Sequence, residues 1–213
     1  MTDLTLARIR MNPHHPGARQ CLRSMNDMHR TIMKLVPDGL GDEARSKANL
    51  LYRVDTSDQP TVFIQSTEQL RVGEIPPKWG TVETRSLTPM LQVIDKGMRV
   101  AYHATLNPTE HVKVTTRKGR VKSVRKAMPP GKDRQWWHNR ARRAGLDLDT
   151  CEYHKPTWPP LQRNHDRNRG ELKLVEFTGT AVITDPDALT SAIINGIGRG
   201  KAYGAGLLTL KPA

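Results

Sequence analysis

Residues 185–210 read DPDALTSAIINGIGRGKAYGAGLLTL. Asp185-Pro186-Asp187 opens a helix that runs through Ile194, with Pro186 suited to the first turn, where a backbone N–H has no helical partner to lose. A glycine-rich segment, Gly196 to Gly206, follows, and Leu207 to Leu210 reads as a closing strand. Working backwards, Leu172–Phe177 and Thr180–Ile183 read as two strands. Asp133–Gly145 is helical, with Trp136, Trp137, Arg140 and Ala144 at helical spacings, and Gly97–Leu106 is a strand closed by Asn107-Pro108. The second half is therefore strand, helix, strand, strand, helix, strand, the βαββαβ order of a ferredoxin-like unit.

The first half reads as a degraded form of the same order. Leu4–Ile9 alternates with period two, as a half-buried strand does. Gly17–Val36 turns helical, with Met25, Met28, Ile32 and Val36 on one face, and the Ser24/Asp27 spacing of a capping box starts its second part near Ser24. Ala48–Val54 and Thr61–Gln65 are strands, Glu68–Pro77 is irregular, and Trp79–Pro89 alternates weakly. The fold class expected is α+β, two tandem ferredoxin-like domains spanning residues 1–92 and 97–213.

The chain has 213 residues and a formal net charge of +13. Charge of this size points to a polyanionic partner, nucleic acid first of all. No apolar run approaches the ~20 residues that span a bilayer, and Met1–Arg10 carries charges where a signal peptide is apolar. Cys21 and Cys151 are too few for a disulfide scaffold, so a reducing cytoplasm is the expected setting. Between Lys113 and Arg143 stand twelve basic residues against one acid, Asp133, a net of +11. Val112–Pro130, inside that stretch, reads as a charged loop or partly disordered flap. Arg117, Lys118, Arg120, Lys122, Arg125 and Lys126 are its candidate nucleic-acid contacts, with Arg163, Arg167 and Arg169 in a second basic loop, 156–170. Such residues hold a phosphate backbone rather than read bases. The few aromatics make no single-strand stacking platform, so a duplex or hairpin gripped by shape fits better.

The glycine-rich segment matches neither a Walker A loop nor a dinucleotide fingerprint. Two readings remain for Gly196, Gly198, Gly200, Gly204 and Gly206. They either let backbone N–H groups approach a phosphate, with Arg199 and Lys201 adding charge, or make a tight helix-to-strand turn packed on a neighbour. Cys151, His154 and His165 lack a fourth ligand and standard zinc spacing, so no metal and no cofactor is expected.

Four segments, in order along the whole chain, resemble one family. The tail from Asn195 to Leu210, of the form Gly-Ile-Gly-x-x-Lys-x-x-Gly-x-Gly-Leu-Leu, is similar to that of the type I-E CRISPR-associated processing endoribonucleases, the CasE family. Met28-His29-Arg30 in an N-terminal helix, Asn107-Pro108 after a strand, and Asp185-Pro186-Asp187-Ala188-Leu189 agree with it. The resemblance implies cleavage of precursor CRISPR RNA beside each repeat hairpin, giving a 2′,3′-cyclic phosphate and a 5′-hydroxyl, and retention of the product with the other subunits of a Cascade effector complex. It implies that His29 is catalytic, that Arg30 and Lys34 lie in or near the scissile phosphate site, and that the basic loops grip the hairpin. The pattern departs at one place: relatives often carry a tyrosine shortly before the histidine, whereas Arg23–Asp27 has none and Asn26 stands near that position. From the residues alone, His29 reads as a helix-surface histidine without a task. Arg30 and Lys34, at i+1 and i+5, and the nearby helix N-terminus would favour its neutral imidazole. The alternative function is a non-catalytic RNA-binding subunit of a ribonucleoprotein, which the charge alone would explain.

Overall fold

The computed structural model describes residues 3–56, 59–154, 157 and 172–213. In the first half β1 (Thr5–Met11) is followed by α1 (Pro16–Arg23) and α2 (Met25–Met33). The helices break at Ser24, whose extended backbone cannot continue α1 and whose side chain accepts the Asp27 N–H at 3.2 Å. α2 then buries Met28 and Ile32. After α3 (Ala44–Lys47) come β2 (Leu51–Asp55), β3 (Thr61–Ser66), a single 3₁₀ turn at Val72–Glu74, β4 (Gly80–Ser86) and α4 (Thr88–Gln92). The sheet order is β2-β3-β1-β4, with β1 antiparallel to both neighbours. This is the ferredoxin-like order with its second helix reduced to the 3₁₀ turn.

The second half contains β5 (Arg99–Leu106), β6 (Thr109–Thr115), β7 (Val121–Ala127), α5 (Asp133–Arg143), β8 (Leu146–Leu148), β9 (Glu152–Tyr153), β10 (Val175–Ile183), α6 (Pro186–Asn195) and β11 (Leu208–Pro212). Its main sheet is ordered β11-β5-β10-β8, the same arrangement again, with β9 paired to β10. Asp185 caps α6 by accepting the Ala188 N–H at 3.0 Å.

Two expectations are corrected. Residues 112–130 are not a flap without regular structure: β6 and β7 form an antiparallel hairpin in register from Thr109↔Ala127 to Thr115↔Val121. Val121 and Val124 fall on opposite faces of β7, and they and Val114 are exposed, so no buried face marks the strands in the sequence. The second correction concerns Leu172–Phe177 and Thr180–Ile183, which belong to one strand, β10, rather than two. Gly179 does not break it. A Cβ there would meet the Thr150 carbonyl oxygen at 2.2 Å, so the glycine allows close approach of a neighbouring chain segment. The strand that completes the order is β8, only three residues long.

Each half has an apolar core, and the second reaches back across the 92–97 junction to take in Leu4, Leu6 and Leu87. The strand pair β2–β3 is covered on both faces. Tyr52, Val62 and Ile64 pack into the first core. On the opposite face, Arg53 stacks on its cross-strand partner Phe63 at 5.0 Å and donates to the His103 carbonyl (3.2 Å) and Thr209 Oγ1 (2.9 Å) of the second half. Gln65 Nε2 donates to the Ile193 carbonyl at 2.7 Å. Among the described residues no helix is long and apolar enough to cross a membrane.

The root of the β6–β7 hairpin is tied down by a buried ion pair. Lys173 Nζ lies 2.7 and 2.6 Å from the Asp133 carboxylate oxygens and 2.9 Å from the Met128 carbonyl, and Tyr153 Oη donates to Asp133 at 3.0 Å. The two charged side chains are 2% and 0% exposed, so neither can recover water if its partner is removed. Asp133→Ala should therefore cost about 3–5 kcal/mol in urea unfolding, and the paired replacement Asp133→Leu with Lys173→Met should recover much of that loss.

Candidate active site

The second half of the α1–α2 segment positions the central histidine. With Met28 and Ile32 facing the core, His29 lies on the adjoining face, half-buried against the glycine-rich loop. Its ring stands 6.1 Å, centroid to centroid, from the ring of Tyr203 at an interplanar angle of 51°. Nδ1 is buried without a hydrogen-bond partner. Burial, and after it the charge of Arg45, holds the imidazole pKa below the ordinary histidine value. The ring is therefore neutral near pH 7, a proton acceptor rather than a donor.

The neutral form was expected from Arg30 and Lys34, but neither is among the groups that shift His29. Both are exposed and line a separate depression of about 490 Å³ with Asp38, Arg71 and Glu74. Arg30 pairs with Asp27 at 3.3 Å. Arg30 on α2 and Lys34, its C-cap residue, lie one turn apart on a face next to that of His29, not the same one. The cation that acts on the imidazole is Arg45 of α3, whose Nη1 also donates to the Leu50 carbonyl at 3.2 Å. Nothing in residue spacing signals it, because α3 reaches the histidine only through the tertiary fold.

The glycine-rich loop brings a second set of groups to the same place. A 3₁₀ turn, Lys201–Tyr203, sits between left-handed Gly200 (φ 82°) and Gly204 (φ 79°). Tyr52 Oη, from β2, donates to the Ala202 carbonyl at 3.0 Å. The Tyr52 ring leaves only 3.2 Å to a Cβ at position 204, so both the φ value and the space require glycine there. At Gly204 these are the contacts of a tightly packed turn. Lys201 Nζ reaches back to the Asn195 carbonyl at 2.6 Å, and burial, then Arg45, lowers its pKa. Arg45 thus acts on both His29 and Lys201. Arg199 is exposed. A cleft of about 440 Å³, lined by Met25, Met28 and Tyr52 from one half and Thr105, Tyr203 and Gly204 from the other, opens on the Tyr203 side of this ring pair, without His29 in its lining.

The remaining expected contacts are placed as follows. Arg117, Lys118 and Arg120 lie in or beside the turn of the β6–β7 hairpin, and Lys122, Arg125 and Lys126 lie on β7, all exposed. Arg125 approaches His111 Nε2 at 2.8 Å. The one acid of the 113–143 stretch, Asp133, is consumed internally by Lys173, which leaves the hairpin charge uncompensated from that side. Arg163, Arg167 and Arg169 lie outside the described residues. Among the described residues no group of three or more His, Cys, Asp or Glu side chains could hold a metal ion.

A family model described as "CRISPR associated protein" matches residues 4–212. The chain is 24% identical over 225 residues to the CRISPR-associated endoribonuclease Cse3 of Thermus thermophilus, covering 97% of this chain and 99% of that one. It is 26% identical over 202 residues to the CRISPR system Cascade subunit CasE of Escherichia coli, covering 92% and 96%. The fold superposes on a structure of CRISPR endoribonuclease Cse3 bound to 19 nt RNA with a TM-score of 0.80 at 22% identity, covering 100% of both chains.

The electrostatics of the histidine carry a direct test. Removing the Arg45 charge by Arg45→Met should raise the His29 pKa, because the imidazolium then meets no neighbouring cation. NMR titration of the His29 ring protons should show the midpoint moving to higher pH, and an unmoved midpoint would mean that burial acts alone.

Proposed function

Because the chain belongs to the CRISPR-associated protein family, we propose that it is a metal-independent endoribonuclease that grips a CRISPR repeat hairpin and cuts precursor CRISPR RNA at the hairpin's 3′ base. The observation that carries this reading is His29: a half-buried imidazole whose pKa is lowered by burial and then by Arg45, facing the Tyr203 ring of the same glycine-rich turn that carries Lys201. RNA supplies its own nucleophile in the 2′-hydroxyl. The protein's share of the work is to align that oxygen with phosphorus, take its proton and balance the charge that gathers on the phosphorane. Alignment is worth several kcal/mol, and a placed base adds about 10²–10⁴-fold. His29 Nε2 takes the 2′ proton; the 2′ oxygen attacks phosphorus; the 5′ oxygen leaves, giving a 2′,3′-cyclic phosphate and a 5′-hydroxyl. Arg45 and Lys201 offset the anionic charge, and fixed cations in a half-buried site do so without reorganising.

The grip is separate from the cut. The exposed cations of the β6–β7 hairpin hold the RNA backbone, and Arg30 and Lys34, on the neighbouring face of α2, hold the strand next to the scissile phosphate. The product stays bound and is handed on within a Cascade-type complex in a prokaryotic cytoplasm, as the name of the E. coli relative suggests.

Incubation of a repeat-hairpin RNA from the host's own CRISPR array with the protein in EDTA should give one cut and a cyclic phosphate end. His29→Ala should bind that RNA normally while cutting at least about 100-fold more slowly. Binding without a product from the unaltered protein would instead make it a non-catalytic RNA-binding subunit, and full cutting by His29→Ala would remove the histidine from the mechanism.

A further inference from the structure

Cutting RNA by 2′-oxygen attack takes two proton transfers, one from the 2′-hydroxyl and one to the departing 5′ oxygen. A neutral His29 performs the first. The group that performs the second must carry a proton at neutral pH, stand beside the imidazole and be open to the substrate. Lys201 and Arg45 are near, but they are tied to the Asn195 and Leu50 carbonyls, where they hold the loops and supply charge. Tyr52 is 2% exposed and spends its hydroxyl on the Ala202 carbonyl. Tyr203 meets the conditions. Its ring is the one in contact with His29, it is half-exposed, and it lines the cleft between the two halves.

Its placement is also fixed. The Tyr203 N–H donates to the Gly200 carbonyl at 2.7 Å, closing the 3₁₀ turn. The preceding residue, Ala202, is held by Tyr52, and the following one, Gly204, rests against the Tyr52 ring. A phenol on so short and doubly anchored a turn has little freedom to drift from the histidine, which is the preorganisation that proton transfer needs.

We propose that Tyr203 is the second catalytic residue, its phenol protonating the departing 5′ oxygen while His29 accepts the proton of the 2′-hydroxyl. The O2′–P bond forms, the P–O5′ bond breaks, and the phenol proton goes to O5′. The imidazolium then loses a proton to water and the phenolate gains one, restoring both groups. This inference rests on the His29 endoribonuclease reading and adds a residue contributed by the opposite half of the chain.

The test compares single-turnover cutting of the repeat-hairpin RNA with that of the same RNA carrying sulfur in place of the 5′ bridging oxygen. A thiolate leaves without needing a proton. Tyr203→Phe should cut the ordinary RNA about 10²-fold or more slowly, yet cut the sulfur-substituted RNA within a few fold of the unaltered protein. Affinity for a 2′-deoxy, uncuttable hairpin should stay the same. His29→Ala should remain slow on both substrates. Normal cutting of ordinary RNA by Tyr203→Phe overturns the proposal, as does a defect that persists on the sulfur-substituted RNA, which would mark Tyr203 as a positioning residue. In either case His29-dependent cutting by the unaltered protein leaves the endoribonuclease reading standing. An unaltered protein that cuts neither RNA overturns both.

Discussion

Tyr52 lies in the core of the first sheet, yet its hydroxyl ends on the Ala202 carbonyl of a loop 150 residues further along the chain. That hydrogen bond, with the Tyr52 ring packed against Gly204, fixes the 3₁₀ turn that carries Lys201 and Tyr203. His29 belongs to the helix that packs on the same first core. The imidazole is therefore positioned by the first half, the groups facing it are presented by the second, and one tyrosine sets the distance between them. Arg53 and Gln65, on the other face of the same strand pair, keep the halves from sliding, each through side-chain donors to backbone carbonyls across the interface. A carbonyl left unpaired in such a buried place costs about 1–3 kcal/mol, so each of these bonds resists loss more strongly than it contributes when intact.

The charge follows the same division of labour. Most of the net positive charge is displayed on a two-stranded arm and the helix after it, exposed and suited to phosphate. The few cations near His29 are instead partly withdrawn from water and tied to carbonyls. Exposed cations give salt-dependent grip. Half-buried ones act over short range, strongly enough to help keep a histidine neutral. The buried Lys173–Asp133 pair joins the two regimes, anchoring the arm at its root while taking the one acid of the basic stretch out of play.

Local chemistry was legible in the sequence wherever a residue type has one structural meaning. Ser24 and Asp185 both cap helices as their spacing implies, and the βαββαβ order of the second half is correct. The hairpin was not legible, because a ribbon with both faces in water has no apolar period. β8 escaped because three residues carry no period at all, and the single strand β10, with Gly179 in its middle, read as two. At the site, His29 stood out only through family resemblance. The pKa of His29 is lowered, but by burial and Arg45, which act through the fold, not by Arg30 and Lys34, which are near only in sequence. Tyr203 lay in plain view within the glycine-rich segment, but the side to which it points depends on Tyr52, and nothing local encodes that contact.

The Tyr52–Ala202 bond ties the proposed site together, and Tyr52→Phe removes that bond while keeping the ring. The single-turnover rate of this variant on a repeat-hairpin RNA, measured with hairpin affinity alongside, is the most direct test. Affinity should be normal, since the basic arm is untouched, with cutting slowed by about tenfold or more as the loop drifts from His29. Cutting at the unaltered rate would contradict this and would mean that the two halves hold the site together without the tyrosine strap.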